Sequence, residues 1–383
     1  MSVLVTDYSD FAVFSNSTRD CLIWLDNALI IASAILVTPG FLIACLGVIL
    51  NIFHLLILTR KSMRSNSTNV LMIGIAICDL FIMVIVVYST VITLVYWDID
   101  CFPKSSYFRL LLDLCASIIR DDFRRLSAWL GLLMATVRFL MIKNSLNPKY
   151  ECFSHPLFAW KMILIVLVLS TFVSAFYWAK VQIIELEPFV PADHCTGYPT
   201  NYTDKQYTVI VSTGFTDSTL LHLKIFLFTD GILKIIPSLL LPILTALLIG
   251  QLNNASSIRR KVTVTVGQKT EPPRKDPATK LVILMTLTFI IAELPLGVVY
   301  VAQGFLTLQP GFLSITTNFV YVMNIFININ ATTHCLLCLT LSSQYQNCVR
   351  SLFCKEKNVR KVTVSPKVSV TSVTSVRQVT VEV

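Results

Sequence analysis

Apolar residues along the chain gather into seven blocks, at about 29–58, 70–95, 112–142, 162–184, 225–250, 281–304 and 315–341. Short polar connections separate them. Blocks of about 20 residues with few charges match the length a helix needs to cross a bilayer. The fifth block contains Pro237 and Pro242, which neighbouring helices in a membrane bundle can tolerate. No internal repeat is visible, which weighs against transporter folds built from inverted repeats. The third block requires its charged opening, R-D-D-F-R-R at 120–125, to be helical. From Arg120 to Arg138 such a helix rises roughly 27 Å, close to the thickness of a hydrocarbon core. At 100° per residue, Arg120, Arg124, Ser127, Gly131, Met134 and Arg138 share one face. Leu126, Trp129, Leu133, Val137 and Leu140 take the other. Ionisable residues at membrane depth face a bundle interior or a wet cavity. The pattern therefore predicts an all-α membrane protein, a seven-helix bundle.

Composition agrees. The 383 residues are 55% hydrophobic and only 14% charged, against about 25% charged in soluble domains. Basic residues cluster in the first loop (Arg60, Lys61, Arg64), before the sixth helix (Arg259, Arg260, Lys261, Lys275, Lys280) and in the tail. Acidic residues such as Asp20, Asp26, Glu185, Glu187 and Asp204 dominate the other side. The positive-inside rule then sets the N-terminus outside and the C-terminus inside. The net charge of +9 is thus a topology signal and no sign of nucleic-acid binding. The N-terminus lacks a basic, cleavable leader, so the first helix is expected to serve as insertion signal. The division expected is an extracellular segment 1–28, the bundle 29–341, an amphipathic membrane-surface helix 342–354 and a disordered tail 355–383.

On the outer side, Asn16 and Asn201 stand in glycosylation sequons. Of 11 cysteines, Cys21, Cys101 and Cys195 lie where disulfides persist. A staple from the long loop bearing Cys195 to the top of the third helix is expected through Cys101, with Cys115 as the alternative. Cys354 follows the amphipathic segment and is either a palmitoylation site or a free thiol. The tail alternates valine with serine and threonine and suits kinases, with phosphates then recruiting an arrestin. No paired-histidine metal motif or G-x-S-x-G motif is present, so neither an enzyme nor a metal site is expected, and no cofactor.

Several local motifs occur in order. They are Asn51 after Gly47, I-A-I-C-D at 75–79, Ser127 with Trp129, and V-R-F at 137–139. F-I-I-A-E-L-P follows at 289–295, then N-A-T-T-H-C-L-L-C at 330–338. Together, over about 47–354, they resemble rhodopsin-like (class A) G-protein-coupled receptors. R-K-S-M-R-S-N-S-T-N-V-L-M, D-D-F-R-R-L-S-A-W-L-G-L-L-M-A and S-S-Q-Y resemble the nematode serpentine receptors of class W, a group similar to FMRFamide-type and myosuppressin-type neuropeptide receptors. That resemblance implies a short amidated peptide agonist and a heterotrimeric G protein as partner, with Arg138 engaging it. It also implies a buried polar, sodium-like site of Asn51, Asp79 and Ser127. Departures are Val137 for the usual acid, Glu293 for a tryptophan, and His334 in the seventh-helix motif.

From the residues themselves, Arg120 and Arg124 point inward and can take a carboxylate or carbonyl oxygens. Asp121 and Glu293 can take a cationic side chain, and Tyr300 and Gln303 can line the same cavity. Asp121 and Arg125 are spaced for an i,i+4 pair. The alternative is that R-D-D-F-R-R neutralises itself and only anchors the helix top. A receptor of the same fold for an environmental small molecule is the second functional expectation; a transporter is disfavoured.

Overall fold

A computed structural model of the protein describes residues 11, 14–95, 101, 106–144, 147–192, 194–211, 221–265, 277–306 and 309–353. Cys354 and the tail 355–383, with the modification and arrestin sites expected there, lie outside these residues. The chain forms helices α1 (Asn16–Leu58), α2 (Ser67–Val95), α3 (Tyr107–Lys143), α4 (Pro156–Lys180), α5 (Leu221–Thr265), α6 (Pro277–Phe305), α7 (Pro310–Leu341) and α8 (Ser343–Phe353). Seven of them are long and apolar enough to cross a membrane. Side chains such as Ile31, Ile35 and Leu42 on α1, or Leu164, Val168 and Phe172 on α4, point outward. In a bilayer that surface meets acyl chains.

Helix ends depart from the sequence expectation where polar residues are recruited. α1 starts at Asn16, well before the apolar block, because Ser15 accepts from the Thr18 N–H and caps it. Its early turns dock on α7. Asp26 is fully buried and accepts from Ser314 Oγ at 2.9 Å and Asn318 Nδ2 at 2.8 Å. Phe11 and Phe14 pack edge-on against Phe312. α4 stops at Lys180 rather than 184. The β-branched residues that follow form strand β1 (Val181–Glu185), paired antiparallel with β2 (Tyr207–Val211), Gln182 opposite Ile210. The long loop is therefore a hairpin. Cys195 in it bonds to Cys101, not Cys115, and Tyr198 Oη donates to the Cys101 carbonyl.

At the opposite end α8 folds back under α1 and α7. Its Tyr345 is fully buried, 2.9 Å from His54 Nδ1, and Gln344 donates to the Ser62 carbonyl. Burial first, then Cys335 nearby, pushes the Tyr345 phenol well above its usual range, so it stays neutral. The main core lies at this α8 end, from Ile57, Leu71, Leu126, Leu130, Met134, Val137, Cys338 and Tyr345.

α5 and α6 approach closely through glycine. A Cβ on Gly231 would lie 2.9 Å from Val301 N and 3.0 Å from Gly297 O, while one on Gly297 would meet Ile235 N at 3.1 Å. These are backbone atoms and cannot rotate aside. Small residues allow such contacts between membrane helices. Gly231→Ala is expected to lower stability by about 1–3 kcal/mol, read as a lower apparent melting temperature in detergent. Gly250→Ala, whose Cβ meets nothing within 4 Å, is the matched control; equal effects of the two would refute the close-packing account.

Candidate functional site

Six consecutive helical residues wrap all round a helix, and R-D-D-F-R-R on α3 does so. Asp122 faces α4, accepting from Ser170 Oγ at 2.5 Å and Thr171 Oγ1 at 3.2 Å. Phe123 stacks on Phe81 of α2. Arg124 faces α7, where Nη2 donates to Asn324 Oδ1 at 2.8 Å. Arg125 faces α4 and α5: Nη1 lies 2.5 Å from Asp230 Oδ1, Nη2 donates to Ser174 Oγ at 2.9 Å, and Nε donates to Ser170 Oγ at 3.3 Å. Asp230 also bonds Lys234, whose ammonium sits 4.3 Å from the Tyr300 ring centroid.

The expected Asp121–Arg125 pair does not form. Asp121 instead lies 3.7 Å from Arg120 Nε and 3.9 Å from Arg124 Nη1. Arg125 is nearly fully buried, and there the Asp230 carboxylate on α5 compensates its charge in a poorly solvated setting. Self-neutralisation is thus only partial, because the cluster spends its charges on three other helices.

Two cavities meet at this level. The first, about 280 Å³, lies between α3, α5, α6 and α7. Arg120, Asp121, Arg124, Tyr300 and Gln303 all line it, with Arg125, Asp230, Tyr321 and Asn324. Glu293 is not among its lining residues. It is buried two turns deeper on α6, and its Oε2 lacks a hydrogen-bond partner among the described residues. The second cavity, about 360 Å³, lies between α1, α2, α3 and α7 and shares Arg120, Arg124, Tyr321 and Asn324 with the first. Sequence reading missed Asp230, Lys234 and Asn324. The first two carried a usable signal: opposite charges at i,i+4 inside an apolar membrane block.

Lower in the bundle, two of the three residues expected to form a sodium-like site, Asp79 and Ser127, lie together, and Asn51 bonds elsewhere. Ser127 Oγ reaches Asp79 Oδ1 at 3.4 Å, but the other Asp79 oxygen is taken by His334 Nδ1 at 2.7 Å. Asn51 donates to the Gly47 and Ala331 carbonyls at 3.0 and 3.2 Å and does not join Asp79. Toward the α8 end, Arg138 lines a small cavity with Met134, Leu241, Met285 and Phe289. Its guanidinium makes no hydrogen bond or ion pair among the described residues. Val137, at the position of the usual acid, is buried in the core. Near the hairpin, Cys101, His194 and Cys195 come within 4.8 Å of one another, but the disulfide consumes both thiols and leaves no metal-binding set.

Seven spanning helices around a charged cavity, capped by a disulfide-held hairpin at one end and a surface helix at the other, define a multi-pass membrane protein of the receptor type. The chain belongs to the serpentine type 7TM GPCR chemoreceptor family Srw, whose family model matches residues 39–356. No curated protein matches it. Membership makes it a receptor rather than an enzyme, with an extracellular ligand and a G protein as partners.

Proposed function

We propose that this receptor sits in the plasma membrane with its N-terminus and hairpin outside and α8 inside, and that it is activated by a short amidated, FMRFamide-like peptide. Basic residues at the α8 end, Arg60, Lys61 and Arg64 among them, support the orientation. It leaves Asn16 and Asn201, both exposed, on the side where glycans are added. The observation that carries the peptide reading is the pair of joined cavities sharing the Arg120, Arg124, Tyr321 and Asn324 wall. Hydrogen-bonding groups are spread along that wall, as an extended ligand with a row of amides requires. Acidic Asp121 and Asp230 beside basic Arg120 and Arg124 can match both a cationic side chain and carbonyl oxygens. At the other end, Arg138 has no competing hydrogen-bond or ion-pair partner among the described residues and engages the G protein.

A second reading is favoured by the family's description as chemoreceptors. The first cavity alone, about 280 Å³, lies just under the lower end of small-molecule sites, about 300 Å³, and so suits a compact environmental molecule. A library of amidated peptides, screened on cells expressing the receptor with a promiscuous G protein, separates the two. The peptide reading expects at least one agonist. It also expects Arg124→Ala to weaken that agonist by roughly 10- to 100-fold, the worth of a charged hydrogen bond. Silence across the library alongside responses to metabolites or volatiles would establish the small-molecule reading instead.

A further inference from the structure

The two cavities differ in charge. Asp121 and Asp230 line the first beside Arg120, Arg124 and Arg125. Arg120 and Arg124 are the only charged side chains among the described residues that line the second. Leu36, Val37 and Phe41 of α1, Val86 of α2 and Ile325 of α7 give that cavity its apolar wall. Arg120 is the accessible cation of the two. Its side chain is 26% exposed, against 2% for Arg124, which Asn324 holds. Among the described residues, Asp121 is the one carboxylate paired with either, 3.7 Å from Arg120 Nε and 3.9 Å from Arg124 Nη1. Neither separation is a hydrogen bond. One carboxylate shared by two guanidinium groups leaves a positive charge over at membrane depth, where an uncompensated charge is costly.

A cation in the second cavity meets two guanidinium groups with no acid on the lining to offset them. A neutral head group leaves the surplus charge in place. A small anion supplies the charge and leaves the apolar wall uncovered. A carboxylate on an apolar chain answers both demands, and its planar shape matches the guanidinium fork. We infer that the cavity between α1, α2, α3 and α7 binds a free amphipathic monocarboxylate, with the carboxylate at Arg120 and the chain along the α1 and α2 side chains. At about 360 Å³ the cavity is large enough, since small-molecule sites run from about 300 Å³ upward. The inference goes beyond the function proposed above and holds whichever agonist is active. Because the arginines are common to both cavities, an anion held there competes with an agonist that uses them.

The test uses octanoate, octanamide, octylamine and acetate on full-length receptor in detergent, following apparent melting temperature against probe concentration. Octanoate is expected to reach half-maximal stabilisation at a concentration on the order of tenfold below octanamide, the worth of a charge-assisted hydrogen bond. Octylamine and acetate are expected to be weaker still. Arg120→Gln removes the preference for octanoate over octanamide. Thr90→Phe fills the second cavity, whose lining includes Thr90, and weakens octanoate. Thr317→Phe, on the lining of the first cavity alone, leaves octanoate unchanged. If Arg120→Gln does not fold, the four probes and the two phenylalanine variants decide the matter. Octanamide or acetate as potent as octanoate, stabilisation by none of the probes, or equal weakening by Thr90→Phe and Thr317→Phe would each overturn the site. A receptor stabilised by octanoate but silent to all amidated peptides refutes the peptide reading and leaves this site standing. Peptide agonism without a preference for octanoate refutes this site alone.

Discussion

Asp230→Ala is expected to remove nearly all folded receptor from the cell surface. Asp230 is the carboxylate between two buried cations, Arg125 at 2.5 Å and Lys234 one helical turn along. All three are less than 5% exposed. Breaking a buried pair by deleting one partner costs about 3–5 kcal/mol, and here two positive charges are stranded at membrane depth. That loss is a large fraction of the stability of a typical domain, about 5–15 kcal/mol. Lys234→Met provides the contrast: it removes the surplus cation and keeps the Arg125–Asp230 pair, so surface expression should survive. Surface immunostaining and size-exclusion profiles of solubilised receptor measure both. Wild-type surface levels for Asp230→Ala would show that the α3–α5 tie is not what holds these helices.

Arg138→Ala is expected to do the opposite, leaving the receptor folded at the surface but nearly silent. Its guanidinium holds nothing within the protein among the described residues, so its removal strands no partner. Truncating an arginine that anchors an interface costs about 2 kcal/mol or more, equivalent to roughly a 30-fold loss in coupling. Agonist-stimulated nucleotide exchange on the G protein, normalised to surface receptor, is the measurement. Unchanged exchange would reduce Arg138 to an interface anchor that snorkels toward lipid headgroups. Val137 bears on the same end. Because it is 1% exposed in the main core, Val137→Asp does not simply restore an acidic neighbour for Arg138. It buries a carboxylate among apolar side chains, and its effect on basal signalling has to be read against surface expression.

Helix positions were legible where apolar runs were long. They were not legible where a polar residue extends a helix or where β-branched residues end one. Ser15 and Asp26 carry α1 well beyond its apolar block, and Val181, Ile183 and Ile184 leave α4 for a strand that needs Tyr207–Val211 to exist. The same division runs through the site. That Arg120 and Arg124 turn inward follows from helical phase. That Asp121 serves them, and not Arg125, depends on a carboxylate on α5, 105 residues away in sequence.

The sequence by itself determined the seven-helix bundle, the family, and α3 as the helix with charges at one end and a lone arginine at the other. Apolar block length and helical periodicity are local properties, readable in one dimension. Only the tertiary structure decided which charges pair, that Glu293 sits beneath the cavity rather than in its wall, that His334 takes the Asp79 carboxylate, and that Arg124 turns to Asn324 on α7. At membrane depth a charge takes whichever partner the packing of other helices brings within about 3 Å, and no spacing along a single helix records that.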